Sequence, residues 1–222
     1  MNRKYNIINW VFYVLLVGFG IALCTKADFG LSMISAPPYI LHVWLRDRFS
    51  WYTQGTSEYF WEAFLLLVMC LVIRRFRPKY LLSFAAAVIS GLVIDGWLYL
   101  LGGNGVYPAM GARVAAFIAG MVITALGVAF GFRTTMPLQV YELVVKEVAE
   151  AFRFPVSKTK QGFDIIMLVV SIGLSLLLTH KMTGVGIGTV ILTVINAAII
   201  ALWSSLIDKL EKQDTNNHSK QE

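Results

Sequence analysis

The stretch GFGIALCTKADFGLSMISAPP, residues 18–38, decides how the chain is organised. It begins as an apolar segment typical of a membrane helix, and then places Lys26 and Asp28 close together before Gly30 and a pair of prolines. Charged and helix-breaking residues are tolerated at membrane depth only where they are buried in protein or line a water-filled cavity. The stretch therefore either leaves the membrane or lines something inside it.

The composition indicates an integral membrane protein. Of the 222 residues, 57% are hydrophobic and only 14% are charged, whereas a soluble domain carries about 25% charged residues. The net charge of +6 does not indicate a nucleic-acid partner, because the basic residues cluster at the ends of apolar segments. The two cysteines and three histidines have no metal-site or catalytic spacing, so neither an enzyme nor a cofactor is predicted.

Six segments are long and apolar enough to cross a hydrocarbon core, which needs about 20 residues. They are predicted at 8–25, 58–74, 80–101, 111–132, 162–180 and 185–207. Basic residues crowd the links at 74–79 and 133–160 and both chain ends, whereas 102–110 has none. The positive-inside rule therefore predicts a multi-pass protein of a bacterial plasma membrane with both termini cytoplasmic, including a polar tail at 209–222.

The opening stretch has an ungapped counterpart later in the chain. Residues 20–31 align with residues 127–138, which pairs Gly20 with Gly127 and Lys26 with Arg133. Glu62 and Asp164 form a further matched pair, early in the second and fifth spans. These matches predict an all-α fold of two three-helix repeats, 1–104 and 105–208. Because each repeat has three spans, the second must be inverted, an arrangement typical of alternating-access transporters.

Two shorter segments, 33–46 and 138–152, follow the matched stretches. The second is amphipathic, with a hydrophobic face and four charged residues. Each segment is predicted to be a short helix that either lies at the membrane interface or re-enters the bundle. A helix that restarts inside the membrane would offer its amino-terminal amides to an anion.

Polar residues in and beside the interruptions are the candidate site. The candidate substrate-binding residues are Lys26, Asp28, Ser32, Arg133, Thr134, Thr135 and Gln139, and the candidate coupling or intramembrane charges are Asp95, Glu62 and Asp164. Lys26 and Arg133 could equally reach back to the interface and complement the ends of their helices. Asp95, far inside the third span, is expected to face the interior with a partner, in coupling or in a structural bond to another helix.

The element Gly-x-Ala-Leu-x-x-x-Ala-x-x-Gly at residues 20–30 resembles the bacterial YczE-like integral membrane proteins, which are related in appearance to the YitT group. Gly-Val-Gly-Ile-Gly-Thr at 184–189 and the element around Pro137 also fit. The chain has Ser32-Met33-Ile34 where that family often has Pro-Trp. The resemblance implies a plasma-membrane protein with several spans and supplies no catalytic residue.

Three functions remain open from the sequence. The first is a small secondary transporter of a small anionic or zwitterionic solute, working in the lipid bilayer by alternating access. The second is the substrate-binding membrane subunit of an energy-coupled uptake system. The third is a non-transporting membrane accessory protein or a membrane-embedded enzyme. Self-association as a homo-oligomer is compatible with each.

Overall fold

A computed structural model describes residues 3–103 and 105–218, with side chains from 6 to 103 and from 105 to 210. These residues form α-helices and one π-helical turn, and no strand. The helices are α1 (Arg3–Ala27), α2 (Ala36–Leu45), α3 (Gln54–Ile73), α4 (Tyr80–Leu100), α5 (Met110–Gly131), α6 (Val140–Phe152), α7 (Val156–Leu174, extended by the π-helical Ser175–Thr179) and α8 (Ile187–His218).

Six of the described helices, α1, α3, α4, α5, α7 and α8, are long and apolar enough to cross a membrane. This confirms the expectation of an all-α protein with six membrane spans. α3 and α7 begin earlier than predicted, at Gln54 and Val156 rather than at 58 and 162. Their polar first turns were assigned to loops because hydropathy alone does not show that Gln54 and Ser57 are fully buried. α8 continues into the predicted tail as far as His218, and residues 219–222 lie outside the described part.

The antiparallel helices α1 and α5 form the centre of the bundle. Glycines allow their close approach, since a Cβ atom on Gly20 would lie 2.0 Å from Thr124 Oγ1 and one on Gly120 would lie 2.8 Å from Cys24 Sγ. Small residues at such an interface are typical of membrane helices, whose association depends on packing rather than on the hydrophobic effect. α4 packs on α1, α3 packs on α4, and α8 packs on α5.

The bundle has two ends, which we call the N-terminal face and the opposite face. The N-terminal face holds the start of α1 and the end of α5, where Asn6 donates to the Thr135 hydroxyl. The opposite face holds the end of α1, where the Lys26 ammonium donates to the carbonyl of Gly103. Arg46, after α2, lines a cavity with Asp28 at this opposite face.

α6 begins inside the bundle and ends at the N-terminal face. After α5, the chain turns back along α1, and the indole of Trp10 donates to the carbonyl of Pro137 over 2.9 Å. The first amide of α6, on Val140, donates to the Glu62 carboxylate in α3 over 2.7 Å. At its other end, α6 places Glu147 3.0 Å from Lys79, in the link between α3 and α4. α6 therefore returns to the face from which the chain entered.

α2 makes the reciprocal path from the opposite face. The amide of Leu31 donates to the carbonyl of Gly184 over 2.9 Å, which anchors the descending segment to the start of α8. Gly30 has φ +107°, and a Cβ atom there would lie 2.5 Å from Thr189 Oγ1, so this crossing requires glycine. Both α2 and α6 contact α3 and α7. These contacts favour the re-entrant alternative over the interfacial one for both short helices.

Candidate functional site

A row of buried polar side chains follows one face of α3. Gln54, Glu58 and Glu62 are spaced four residues apart, so they lie one above another along the helix. Their exposed fractions are 0%, 4% and 0%. The other side of α3 is exposed and apolar, with Phe60 and Phe64 on the surface. The amphipathic pattern of α3 therefore turns two carboxyl groups toward the interior of the bundle.

Each carboxyl group of this row has one oxygen that accepts a hydrogen bond and one that does not. The Oε2 atom of Glu62 accepts from the Val140 amide over 2.7 Å, and the Oε2 atom of Glu58 accepts from the Tyr141 hydroxyl over 3.1 Å. The Oε1 atoms of both glutamates are buried without a hydrogen-bond partner. Among the described side chains, no lysine or arginine forms a salt bridge with either glutamate. The two carboxyl groups are therefore held by neutral donors alone.

Two further polar groups extend this environment. The Gln54 amide nitrogen donates to Thr25 Oγ1 over 2.9 Å, near the end of α1. Tyr13, also from α1, lies within electrostatic range of Glu62, and its buried hydroxyl completes no hydrogen bond. We call Gln54, Glu58, Glu62, Tyr141 and Tyr13 the buried acidic row.

The two short helices differ in what their first turns offer. Gln139 is the N-cap of α6, and the helix presents the Val140 amide to Glu62. α2 has prolines at positions 37 and 38, which carry no N–H, and its Ala36 amide already donates to the carbonyl of Ser32. The expectation that both restarting helices offer free amides to an anion is therefore wrong for α2, because its prolines remove the donors.

A cleft of about 170 Å³ with mixed polar and apolar walls lies between α7, α8 and the segment that precedes α2. Lys160 and Asp164 of α7 form an ion pair across 3.1 Å at its edge, and their side chains are 53% and 26% exposed. Asn196 of α8 has a buried Oδ1 atom without a hydrogen-bond partner. The lining residues are Ser32, Met33, Ile34, Lys160, Asp164, Leu192, Thr193, Asn196, Ala197 and Ile200.

The segment that precedes α2 separates the cleft from the buried acidic row. Ser32, Met33 and Ile34 line the cleft. Met33 and Ile34 also pack against the hydrophobic cluster that contains Val140 and Tyr141 at the start of α6. The structure thus brings two sequence-predicted residues, Ser32 and Asp164, to one cleft, and it places Glu62 and Gln139 beyond the same segment.

The two candidate cations do not share a cavity. The Lys26 ammonium lies at the opposite face, 3.0 Å from the Gly103 carbonyl and 5.0 Å from the centre of the Tyr107 ring. Arg133 lies at the N-terminal face, where it donates to the Ser204 carbonyl over 2.7 Å and pairs with Asp208. They are separated by the 22 residues of α5, about 33 Å of helix. Both residues therefore lie at ends of the bundle, and the Lys26 side chain is buried there.

The neighbours of these cations also hold the two faces together. The Asp28 carboxylate pairs with Arg113 at 3.5 Å on the opposite face. On the N-terminal face, the Thr134 hydroxyl donates to the Asn6 side chain over 2.9 Å, and the Thr135 amide donates to it over 2.7 Å. These contacts join helix ends of α1 and α5.

Asp95 binds the first turn of α3. Its Oδ1 atom accepts from the Gly55 amide over 2.8 Å, and its Oδ2 atom accepts from the Thr53 hydroxyl over 2.5 Å. Thr53 is itself the N-cap of α3 and accepts from the Thr56 amide. A carboxylate at this position satisfies amides that the helix leaves open and complements its dipole. These bonds support a structural role for Asp95, which links α4 to the start of α3.

Sequence reasoning missed several residues of the site. Glu58 is the first residue of the predicted span 58–74, and its spacing of four from Glu62 indicates a shared helix face. Tyr141 and Asn196 carried no such signal, because each joins the site only through packing between helices distant in sequence. In the described part of the chain, no group of three or more histidine, cysteine, aspartate or glutamate residues could hold a metal ion.

Comparison with known families gives one match, over residues 4–205. The chain belongs to DUF6198, a family of unknown function. No curated protein matches the chain, and no solved structure matches it either. The resemblance of this DUF6198 member to the YczE-like proteins stays a prediction.

Proposed function

We propose that this DUF6198 protein is a small secondary transporter that moves a small zwitterionic or anionic solute by alternating access. One observation carries the proposal: two short helices start inside the bundle, and the segments that lead into them lie beside carboxylates of α3 and α7. Transporters commonly bind solute near the midplane, where interrupted helices meet. A protein that only filled or braced the bilayer would have no need of polar groups at that depth.

Contacts between α1 and α5 are compatible with an inverted repeat. The sequence offset of 107 converts the pair Gly20 and Thr124 into the pair Gly127 and Val17. Both pairs are in close contact, with a Cβ atom on Gly20 lying 2.0 Å from Thr124 Oγ1 and one on Gly127 lying 2.9 Å from Val17 Cγ2. Any antiparallel pair of helices relates its contacts in this way, so these contacts are compatible with the two-fold relation that the sequence repeat requires.

The same offset relates a second pair of contacts. Gly120 lies against Cys24, and the offset converts this pair into Tyr13 and Gly131, which are also in contact. Each half of the chain then follows one order, a long helix, a short helix and two long helices. We take 1–104 and 105–208 as the two inverted repeats, with 209–222 as the tail.

The cleft suits a small solute that carries both charges. Its volume of about 170 Å³ corresponds to about six water molecules at 30 Å³ each. Lys160 offers a cation, Asp164 an anion and Asn196 an unpartnered carbonyl oxygen. A zwitterion can replace the Lys160–Asp164 ion pair by pairing with both members. The site thus favours the zwitterionic form of the solute.

A second polar cavity would supply the other side of an alternating-access cycle. It has a volume of about 490 Å³, opens at the opposite face and is lined by Asp28, Arg46 and Lys181 among others. Between the two cavities runs the segment around Leu31, whose amide donates a hydrogen bond to the Gly184 carbonyl. The next residue, Ser32, lines the cleft. Movement of that segment would exchange access between the two cavities. On the positive-inside rule, the opposite face is extracytoplasmic and the protein lies in a bacterial plasma membrane.

Transport in proteoliposomes tests the proposal. A panel of radiolabelled amino acids, betaines and small carboxylates is offered to the purified protein, and uptake is compared with that of empty liposomes. Asp164→Asn and Asn196→Ala should each reduce uptake of the best solute about tenfold, which corresponds to about 1.4 kcal/mol of binding. Asp47→Asn is the matched control, because its carboxylate is 85% exposed and remote from the cleft.

Different outcomes would count against the cleft as the solute site and against transport as the function. Undiminished uptake by both cleft variants would overturn the cleft as the solute site. Failure of every solute in the panel to enter or to stabilise the protein against heat would count against a transporter.

The exposure of α8 favours the alternative that the protein is the membrane subunit of an energy-coupled uptake system. In the most apolar window of α8 only 6% of residues are buried, compared with 44% in α1. A membrane subunit that docks on further helices would need such a face. Purification of a stable complex with an ATPase module, and loss of uptake without it, would favour this alternative over a self-sufficient transporter.

A further inference from the structure

We infer that Glu58 and Glu62 form a proton-binding site, loaded from the opposite face of the bundle. The inference starts from their surroundings: both carboxyl groups are buried, and each leaves its Oε1 atom without a hydrogen-bond partner. A buried carboxylate without a cation nearby carries a large desolvation penalty. Binding one proton removes the charge and turns an unpartnered acceptor into a hydroxyl donor.

The placement of the pair adds a second reason for proton uptake. Glutamates at positions i and i+4 of a helix have Cβ atoms about 5–6 Å apart, so two ionised groups would repel one another in a poorly solvated interior. The unpartnered Tyr13 hydroxyl, from a different helix, lies within electrostatic range of Glu62. It can accept a hydrogen bond from a protonated Glu62 or donate one to an ionised Glu62.

In the described part of the chain, no third histidine, cysteine, aspartate or glutamate joins the pair as a metal ligand, which favours a proton over a metal cation. Glu62 receives the Val140 amide and Glu58 receives the Tyr141 hydroxyl. A sodium or calcium ion would need several further oxygen ligands. The oxygen closest in sequence on this face, Gln54 Oε1, is buried and belongs to the preceding turn. A proton needs only one of the free carboxylate oxygens.

The titratable groups on the neighbouring elements are mostly acidic or neutral. The acidic side chains within electrostatic range are Asp95 of α4 for Glu58 and the solvent-exposed Glu142 of α6 for Glu62. Tyr13 from α1 and Tyr141 from α6 complete this set. His42 of α2 interacts with Asp95 and lies one layer away. Negative neighbours favour proton uptake by the pair, because they oppose a further negative charge.

The direction of loading follows from the polarity of α3 along its length. Toward the opposite face, the row continues through Gln54 to Thr25 near the end of α1. Toward the N-terminal face, the next buried residues of α3 are Leu65, Leu66 and Met69. Successive members of the row lie about 6 Å apart along the helix. In this conformation, the polar route therefore leads outward from Glu62 to the opposite face.

Protonation of Glu62 would act directly on α6. The ionised carboxylate accepts the first amide of that helix and interacts with the positive end of its dipole. A neutral carboxyl group holds the same amide more weakly. Loading therefore loosens the inner end of α6, beside the segment that separates the row from the cleft. That this movement drives solute transport rests on the function proposed above, whereas proton binding does not.

Infrared titration of the purified protein tests the site without any solute. We expect a carbonyl stretching band from protonated carboxyl groups at neutral pH, shifted in D₂O, reduced in Glu58→Gln or Glu62→Gln and absent from the double variant. Asp164→Asn is the matched control and should keep the band, because Asp164 is paired with Lys160. A band that persists in the double variant would overturn the inference, as would a band that sodium ions remove at constant pH.

Transport then tests the coupling separately. With the best solute of the panel, an inward pH gradient should raise accumulation by the unaltered protein at least tenfold, and Glu62→Gln should abolish that rise while keeping solute exchange without a gradient. Equal stimulation of the variant would refute coupling through Glu62. If no solute moves, the infrared result still decides whether the pair binds a proton.

Discussion

The third helices of the two halves place acidic residues at related positions but in different surroundings. α3 carries Glu58 and Glu62 on a buried face, held by neutral donors. α7 carries Lys160 and Asp164 one turn apart at the edge of an open cleft, where they pair with each other. A carboxylate near water can keep its charge beside a cation, whereas a carboxylate in the interior must lose its charge or bind a partner. This difference underlies our proposals of a proton site on α3 and a solute site beside α7.

The short helices show the same division. The first amide of α6 donates to the Glu62 carboxylate, so a change in the charge of that carboxylate alters a hydrogen bond of the helix. α2 has prolines in its first turn and gives no amide to Asp164. The acidic residue of the first half is thus coupled to a helix end, and that of the second half is open to a ligand.

The halves should be most alike where α1 meets α5, and the largest effect is expected there. Gly20→Ala and Gly127→Ala each push a Cβ atom into backbone, 2.7 Å from the Gly120 carbonyl oxygen and 2.9 Å from the Val17 nitrogen respectively. We expect each to destabilise the protein by about 3 kcal/mol or to prevent folding. Thermal unfolding in detergent measures the effect.

The matched control for these glycines is Gly96→Ala in α4. A Cβ atom at Gly96 meets nothing within 4 Å, so helix propensity should make this variant more stable by up to about 1 kcal/mol. A large effect at only one of the two interface glycines would break the equivalence of the halves at their centre.

Removal of the two matched carboxylates should have unequal effects on stability. Glu62→Ala leaves the buried Val140 amide without an acceptor, which costs about 1–3 kcal/mol. Asp164→Ala removes a partly exposed ion pair within a helix, worth about 0.3–0.5 kcal/mol. Chemical denaturation of both variants under one set of conditions gives the comparison. Equal losses would mean that the two carboxylates have similar environments after all.

Hydropathy predicted the six spans because each lipid-facing helix needs a long apolar run. The short helices were predictable from the interruptions, although only the bond from Val140 to Glu62 shows how deep α6 begins. The structure places Lys26 and Arg133 at opposite ends of the bundle. The sequence does not show this, because a cation at a helix end looks the same in sequence whichever way its side chain turns. Tyr141 and Asn196 were beyond sequence reasoning because packing between distant helices brings them to the site.

Asp95 tests whether a carboxylate deep in a span must be functional. Asp95→Asn weakens the acceptors for Thr53 and Gly55 at the start of α3, and we expect a loss of about 1 kcal/mol in stability. Transport and its stimulation by a pH gradient should remain, in contrast to Glu62→Gln. α7 has no equivalent cap, since it begins after Pro155 without a side-chain acceptor. Loss of gradient-driven accumulation in this variant, at normal stability, would transfer the coupling role to Asp95.

The smallest effect is expected where the short helices leave the bundle. α6 is anchored by Glu147, which accepts from the Tyr80 hydroxyl over 2.6 Å and lies 3.0 Å from Lys79. α2 ends at Leu45 and is followed by Arg46, whose ion pair with Asp47 is exposed. Burial alone would raise the pKa of Glu147, but the Tyr80 hydroxyl and the cations Lys79 and Arg77 outweigh it and lower that pKa.

A lowered pKa fixes the sign of the pH dependence. The stabilisation from Glu147 is complete above the pKa of an unfolded glutamate, about 4.3, and is lost as the pH falls through the lower folded value. Glu147→Gln should therefore be less stable than the unaltered protein at neutral pH, by up to about 1 kcal/mol, and the difference should vanish in acid. Asp47→Asn is the matched control, because its carboxylate is 85% exposed. A Glu147→Gln effect that persisted below both pKa values would mean that packing, rather than charge, anchors the outer end of α6.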